Sequence, residues 1–135
     1  MWTHEEAIEI EATPADVWKV LSDVPGWKRW NAGIEHITLH GPFATGTTFT
    51  MQPPGSDAFV STLIAVDENA GFTDETVVDQ TRVIVDHRIE ALSPQRVRVS
   101  YSTRIAGPEG AEIGPFVTGD FPDVLRGLKE TVEQR

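Results

Sequence analysis

Histidine, the side chain whose ordinary pKa lies nearest neutrality, occurs at positions 4, 36, 40 and 87. Only His87 sits in a segment whose alternation gives it a clear side. Across 82–91, Arg82, Asp86, Arg88 and Glu90 alternate with Val83, Val85, His87 and Ile89. Water claims the charged set, so His87 is a polar group on an apolar wall. Such a histidine can transfer protons or hydrogen-bond a bound molecule. The plainer reading is a core histidine satisfied by Tyr101, Thr103 or a carbonyl.

The same parity argument finds its neighbours. Across 96–105 the set Arg96, Arg98, Ser100, Ser102 and Arg104 must face out, which turns Val97, Val99, Tyr101, Thr103 and Ile105 inward. In 46–52, Phe49 and Met51 share the inner side. In 71–78, placing Phe72 inward brings Asp74 and Thr76 with it. The expected wall is therefore Phe49, Met51, Phe72, Asp74, Thr76, Val85, His87, Tyr101 and Thr103, with His87 and Asp74 the candidates for acid–base chemistry. An aspartate is more ordinarily exposed or stabilising a turn, and Asp74 is expected to follow that rule. Within about 4–6 Å of His87 it would hold a proton on the imidazole. Without it, desolvation leaves His87 a neutral hydrogen-bonding group, which is the expectation here.

Other chemistries find no support. His36 and His40 share a strand face, but four residues of strand put their Cα atoms roughly 13 Å apart, too far for one metal ion held by those two. His4 has no spaced partner. There is no cysteine, which removes disulfides, thiolate sites and thiol nucleophiles. No phosphate-binding loop, Gly-x-Ser-x-Gly elbow or His-Glu-x-x-His pair occurs, and Gly41 and Gly46 flank a strand link. No cofactor or metal is expected.

The elements that must position these residues are legible as patterns. Ala7–Glu11 alternates as a first strand. Thr13-Pro14-Ala15-Asp16 is a helix start with a capping box, followed by Val17, Trp18, Val20 and Leu21 as a buried side. Pro25-Gly26 breaks that helix, and a second short one over 26–31 carries Trp27 and Trp30 on one face. These tryptophans, with Trp18, are expected to pack under the sheet edge rather than line a cavity. Strands follow at 34–40, 46–52, 58–67, 71–78, 82–91 and 96–105, parted by Gly41-Pro42, Pro53-Pro54-Gly55, Asn69-Ala70-Gly71, Asp79-Gln80 and Ser93-Pro94. Strand 58–67 is apolar on both sides and gives no parity. Beyond Gly107 the period becomes helical: Val117, Phe121, Val124, Leu125, Leu128 and Val132 form the apolar stripe of a helix over 115–134, with Pro122 starting or kinking its main part.

One α+β domain spanning 1–135 is expected, since a chain of 135 residues buries roughly 70% of its unfolded surface and has no room for two cores. A formal net charge of −10 repels phosphate backbones and anionic headgroups, so nucleic acid is a poor partner. No basic-then-apolar leader opens the chain and no apolar run reaches membrane-spanning length, which points to a cytoplasmic protein with no membrane insertion. Oligomeric state is not legible.

The order strand, two short helices, six strands, long helix, together with Thr13–Trp18, Trp27-Lys28-Arg29-Trp30-Asn31, Gly41–Thr47, Phe72–Thr76 and Phe121–Leu125 through Leu128-Lys129, resembles the START-like superfamily. That is the polyketide cyclase/dehydrase and lipid-transport group, whose best-known shape is the birch-pollen allergen. The resemblance implies a helix-grip fold: a seven-stranded curved antiparallel sheet around a long C-terminal helix, with a ligand tunnel between them. It does not fix an activity. Binding of a largely apolar lipid-like or aromatic molecule is the leading expectation. A cyclase or dehydratase using His87 is second, and a chaperone-assisting interaction module, disfavoured by the charged outward sets, is third.

Overall fold

Short links between strands leave them only antiparallel neighbours. The computed structural model, which describes residues 1–134, has the elements β1 (Trp2–Ile10), α1 (Pro14–Leu21), a 3₁₀ segment (Val24–Arg29), β2 (His36–Leu39), β3 (Thr48–Gln52), β4 (Phe59–Asp67), β5 (Gly71–Val78), β6 (Thr81–Ser93), β7 (Arg96–Ala106), α2 (Gly110–Thr118) and α3 (Phe121–Glu133). The strands form one sheet of order β1-β7-β6-β5-β4-β3-β2. Each strand from β2 onward pairs with the next in sequence, while β1 joins the far edge by pairing with β7.

That last pairing explains the main boundary difference. β1 begins at Trp2 rather than Ala7, because nine residues from Trp2 opposite Ile105 to Ile10 opposite Val97 are held by β7. The polar run Thr3–Glu6 carries no period-two signal of its own. β2 and β3 are shorter than the alternation suggested. The ambiguity of β4 resolves into Ser61 and Leu63 inward and Val60 and Ile64 outward, with a bulge between Leu63 and Ala65.

α1 starts as its sequence dictates. Thr13 Oγ1 accepts from the Asp16 amide at 3.2 Å and the Asp16 carboxylate accepts from the Thr13 amide at 3.5 Å, closing the capping box. The C-terminal helical segment starts five residues before the expected 115, and it is interrupted at Gly119-Asp120. Pro122 sits in the first turn of α3, where its missing N–H breaks no bond. The stripe Phe121, Val124, Leu125, Leu128 and Val132 is buried against Ile10, Val97, Val99 and the rest of the core. Polar clamps hold the end of α3 to β1: Lys129 Nζ donates to the Glu9 carbonyl at 3.0 Å, and the Glu11 amide donates to Glu133 at 2.9 Å. Gly127 allows α3 to lie directly on the backbone carbonyl of Trp30, where a Cβ would collide.

The outer face of β6 and β7 is charged, but β4 and β5 expose Val60, Ile64 and Val77 there, so the charged outward sets do not extend across the whole sheet. No helix among the described residues is long and apolar enough to cross a membrane.

Two substitutions test this account. Leu128→Ala, at a fully buried position, should lower the unfolding free energy by about 2–5 kcal/mol. Gly71 has φ +146° and a Cβ there would strike the His87 carbonyl, so Gly71→Ala should cost more than about 1 kcal/mol and loosen the β5–β6 pairing. Urea denaturation measures both. Parent-like midpoints would show that the helix burial and the close strand approach are misjudged.

Candidate functional site

The inner face of the sheet and the α2–α3 segment enclose a cavity of about 460 Å³, within the size range of small-molecule sites. Of the residues expected on its wall, Phe49, Met51, Phe72, Asp74, Thr76, Val85, His87 and Tyr101 line it. Thr103 does not. It faces the inner side as its parity required, but it is 1% exposed and its hydroxyl has no hydrogen-bond partner. Core side chains seal it away from the cavity.

Three further groups of wall residues were not expected. The 3₁₀ segment contributes Trp27 and the residue after it Trp30, so two of the three tryptophans expected to pack under the sheet edge line the cavity, while Trp18 packs edge-on against Phe43. Trp27 is anchored by its indole N–H, which donates to the Leu21 carbonyl at 2.8 Å. The C-terminal segment contributes Ile113, Phe116, Val117, Asp120, Phe121 and Val124, and β4 contributes Phe59 and Ser61. The helical stripe signalled Val117, Phe121 and Val124 as buried. Nothing in the sequence distinguished burial in the core from burial against a cavity.

Aromatic rings run along one side of the cavity. Trp27 stacks on Phe72 with centroids 5.8 Å apart, and Phe72 stacks on the His87 imidazole at 3.9 Å and 13°. His87 meets the edge of Tyr101, which meets Phe121 edge-on at 5.4 Å. Phe72 and His87 are cross-strand partners, so the stack follows from the β5–β6 register.

His87 Nδ1 lies 3.3 Å from the Phe72 carbonyl. A carbonyl only accepts, so Nδ1 carries the proton and Nε2 offers its lone pair. Asp74 Oδ2 stands 3.9 Å from Nε2, too far for a hydrogen bond, and the two side chains are 13% and 10% exposed. Asp74 is therefore not the exposed or turn carboxylate expected. Its distance from His87 falls within the range that was to charge the imidazole, yet the charge falls the other way. Burial pushes the Asp74 carboxyl up to about 7 and the His87 imidazole down to about 4, because no hydrogen bond compensates the carboxylate and desolvation outweighs the Phe72 carbonyl and Asp86 at the histidine. The pair is neutral, with its proton on the acid. Tyr101 is likewise held protonated by burial and by Asp74 and Asp120.

Among the described residues no cluster of histidine and carboxylates has metal-binding geometry. His36 and His40 both lie on or beside β2, and His40 hydrogen-bonds Thr50.

This fold is shared with known proteins. The family model described as polyketide cyclase/dehydrase and lipid transport matches residues 1–133, and the chain belongs to that family. No curated protein matches the sequence. Among solved structures, norcoclaurine synthase from Thalictrum flavum in complex with dopamine and hydroxybenzaldehyde is similar, at 16% identity and TM-score 0.78, covering 99% of this chain and 87% of that one. A Thermobifida fusca protein solved by NMR shares 23% identity at TM-score 0.77, covering 99% and 95%. A START superfamily protein from Mycobacterium smegmatis shares 14% at TM-score 0.78, covering 98% and 97%. At these identities the likeness is one of fold.

The neutral pair makes a pH prediction. Between about pH 4 and 6.5 the unfolded chain ionises Asp74 and protonates His87, whereas the folded one does neither. Asp74, its pKa raised, contributes stability that is lost as pH rises to about 7; His87, its pKa lowered, contributes stability that is lost as pH falls to about 4. The two slopes cancel between about pH 4 and 6.5 and each variant uncovers one. Relative to the parent, Asp74→Asn should gain about 1.4 kcal/mol per pH unit as pH climbs through that window, and His87→Phe should lose as much. Denaturation across pH 4–8, with NMR titration of His87, reads this directly. An imidazole titrating at 6.5 or above would refute the neutral pair.

Proposed function

We propose that this protein binds a largely apolar small molecule in the cavity between sheet and helix. The observation that carries the reading is the cavity wall itself: aromatic and aliphatic side chains with a few converging polar groups, a composition that favours an apolar body and fixes its orientation. Family membership supports the same class, since the family is described by cyclisation, dehydration and lipid transport. In this reading Phe49, Met51, Phe72, Thr76, Val85 and Tyr101, joined by Trp27 and Trp30, contact the apolar body, and His87 and Asp74 meet its polar group.

A second reading has one observation in its favour. The protonated Asp74 carboxyl faces the Nε2 lone pair of a His87 oriented by the Phe72 carbonyl, which is an acid and a base within 3.9 Å in a desolvated site. On a polyketide-like substrate the acid protonates a carbonyl or departing hydroxyl while the imidazole takes a proton from carbon. This would be a cyclase or dehydratase. The interaction-module reading has no observation of comparable weight, since the outer face of β6 and β7 is charged.

Uptake of a solvatochromic apolar dye should produce a blue shift that a polycyclic aromatic competes away. Val85→Trp should fill the cavity and abolish uptake with the fold intact by circular dichroism. Uptake surviving that substitution would refute the cavity reading. Turnover of a polyketide-like substrate, lost in both His87→Ala and Asp74→Asn, would replace binding by catalysis.

A further inference from the structure

The charge lining the cavity is one-sided. Asp74 on β5 and Asp120 ahead of α3 both face it, and among the described residues no lysine or arginine does. The remaining titratable groups on the wall are His87 on β6, a neutral imidazole presenting a lone pair, and Tyr101 on β7. Tyr101 is 5% exposed and its hydroxyl makes no hydrogen bond among the described residues, so an oxygen that borders the cavity is left without a protein partner. Asp74 makes no hydrogen bond among the described residues either, and its Oδ2 stands 3.9 Å from His87 Nε2. Asp120 precedes α3 but does not cap it. Its carboxylate instead lies over Gly33, where a methyl group would come within 2.9 Å of Oδ2. Both carboxylates are near enough to Tyr101 to hold its proton more firmly.

Buried polar groups left unpaired are costly, and the His87 Nε2 lone pair, the Tyr101 oxygen and, once ionised, the Asp74 carboxylate lack a donor here. A bound carboxylate would meet Asp120, and Asp74 once it ionises, with no lysine or arginine among the described wall residues to offset them. A neutral molecule would leave Asp74 as an acid held off its natural ionisation. An ammonium satisfies the ionised Asp74, the Tyr101 oxygen and the Nε2 lone pair together. The net charge of −10 draws cations toward the protein before any contact is made.

We propose that the ligand is a protonated amine with an apolar or aromatic body, its ammonium anchored on Asp74 beside Tyr101 and drawn in past Asp120 at the mouth. This rests on the cavity being the binding site and names the class of molecule it takes. Because the ammonium favours the ionised Asp74, whose carboxyl otherwise keeps its proton to about pH 7, binding releases a proton and strengthens as pH rises toward 8.

Calorimetric titration with three probes sharing one body, 2-(1-naphthyl)ethylamine, 2-(1-naphthyl)ethanol and 1-naphthylacetate, separates the charges. At pH 8 the amine should bind about tenfold more tightly than the alcohol, with the carboxylate weakest. Its advantage over the alcohol should shrink at pH 6. In Asp74→Asn the amine should lose most of its advantage over the alcohol, and Asp120→Asn should remove a smaller part of it. Alcohol or carboxylate binding as tightly as the amine would overturn the proposal while leaving the cavity reading intact, as would an amine preference undiminished in Asp74→Asn. Binding of none of the three, with no dye uptake, would overturn both.

Discussion

A sheet with one apolar face must cover that face, and here the cover is too small. Seven strands at about 4.8 Å spacing span roughly 29 Å, while thirteen helical residues reach about 20 Å. α3 spends its stripe on the β1 side, where Leu125, Leu128 and Val132 meet Ile10, Val97 and Val99 in a dry core. Toward β3–β5 neither helix follows, since α2 packs on β1 and β7 and the 3₁₀ segment on β2, and the uncovered apolar face becomes the wall of a cavity. The grip and the pocket are thus one packing problem with two outcomes along the same sheet.

The polar groups take their character from that geometry. Thr73 and Asp74 are adjacent on β5, yet Thr73 on the outer face bonds Asp86, while Asp74 faces the cavity with nothing to bond. One step along β5 separates a threonine bonded to a carboxylate of β6 from a desolvated aspartate. The Phe72 carbonyl, also on β5, orients the imidazole that Asp74 faces. A single strand register therefore sets stacking, tautomer and protonation together.

The sequence announced most of this where charge marks a face. Arg82, Arg88, Arg96, Arg98 and Arg104 left no doubt about which side of β6 and β7 was wet, and they carried His87 and Tyr101 to the inside. Asp74 followed only through its parity with Phe72, because an aspartate gives no signal of its own burial. Parity names a side but not a depth, so Thr103 shared its face with Tyr101 yet fell in the sealed core. Trp27 and Trp30 were spaced for one face, but what that face meets depends on how the 3₁₀ segment docks. Asp120 sits in an interruption between helices, a place that periodicity does not describe.

The pairing of β1 with β7 sets Trp2 opposite Ile105 and Ile10 opposite Val97, joining the first strand to the last across most of the chain. As the polypeptide leaves the ribosome, β2 to β7 can form hairpins in turn, each waiting only for its neighbour. β1, made first, has no partner until β7 emerges, and α3 comes later still. The apolar inner face, ring stack included, is bare to solvent until α3 emerges. Folding of the nascent domain thus waits on α3, and truncation within α3 should leave a sticky half-closed sheet rather than a smaller stable protein.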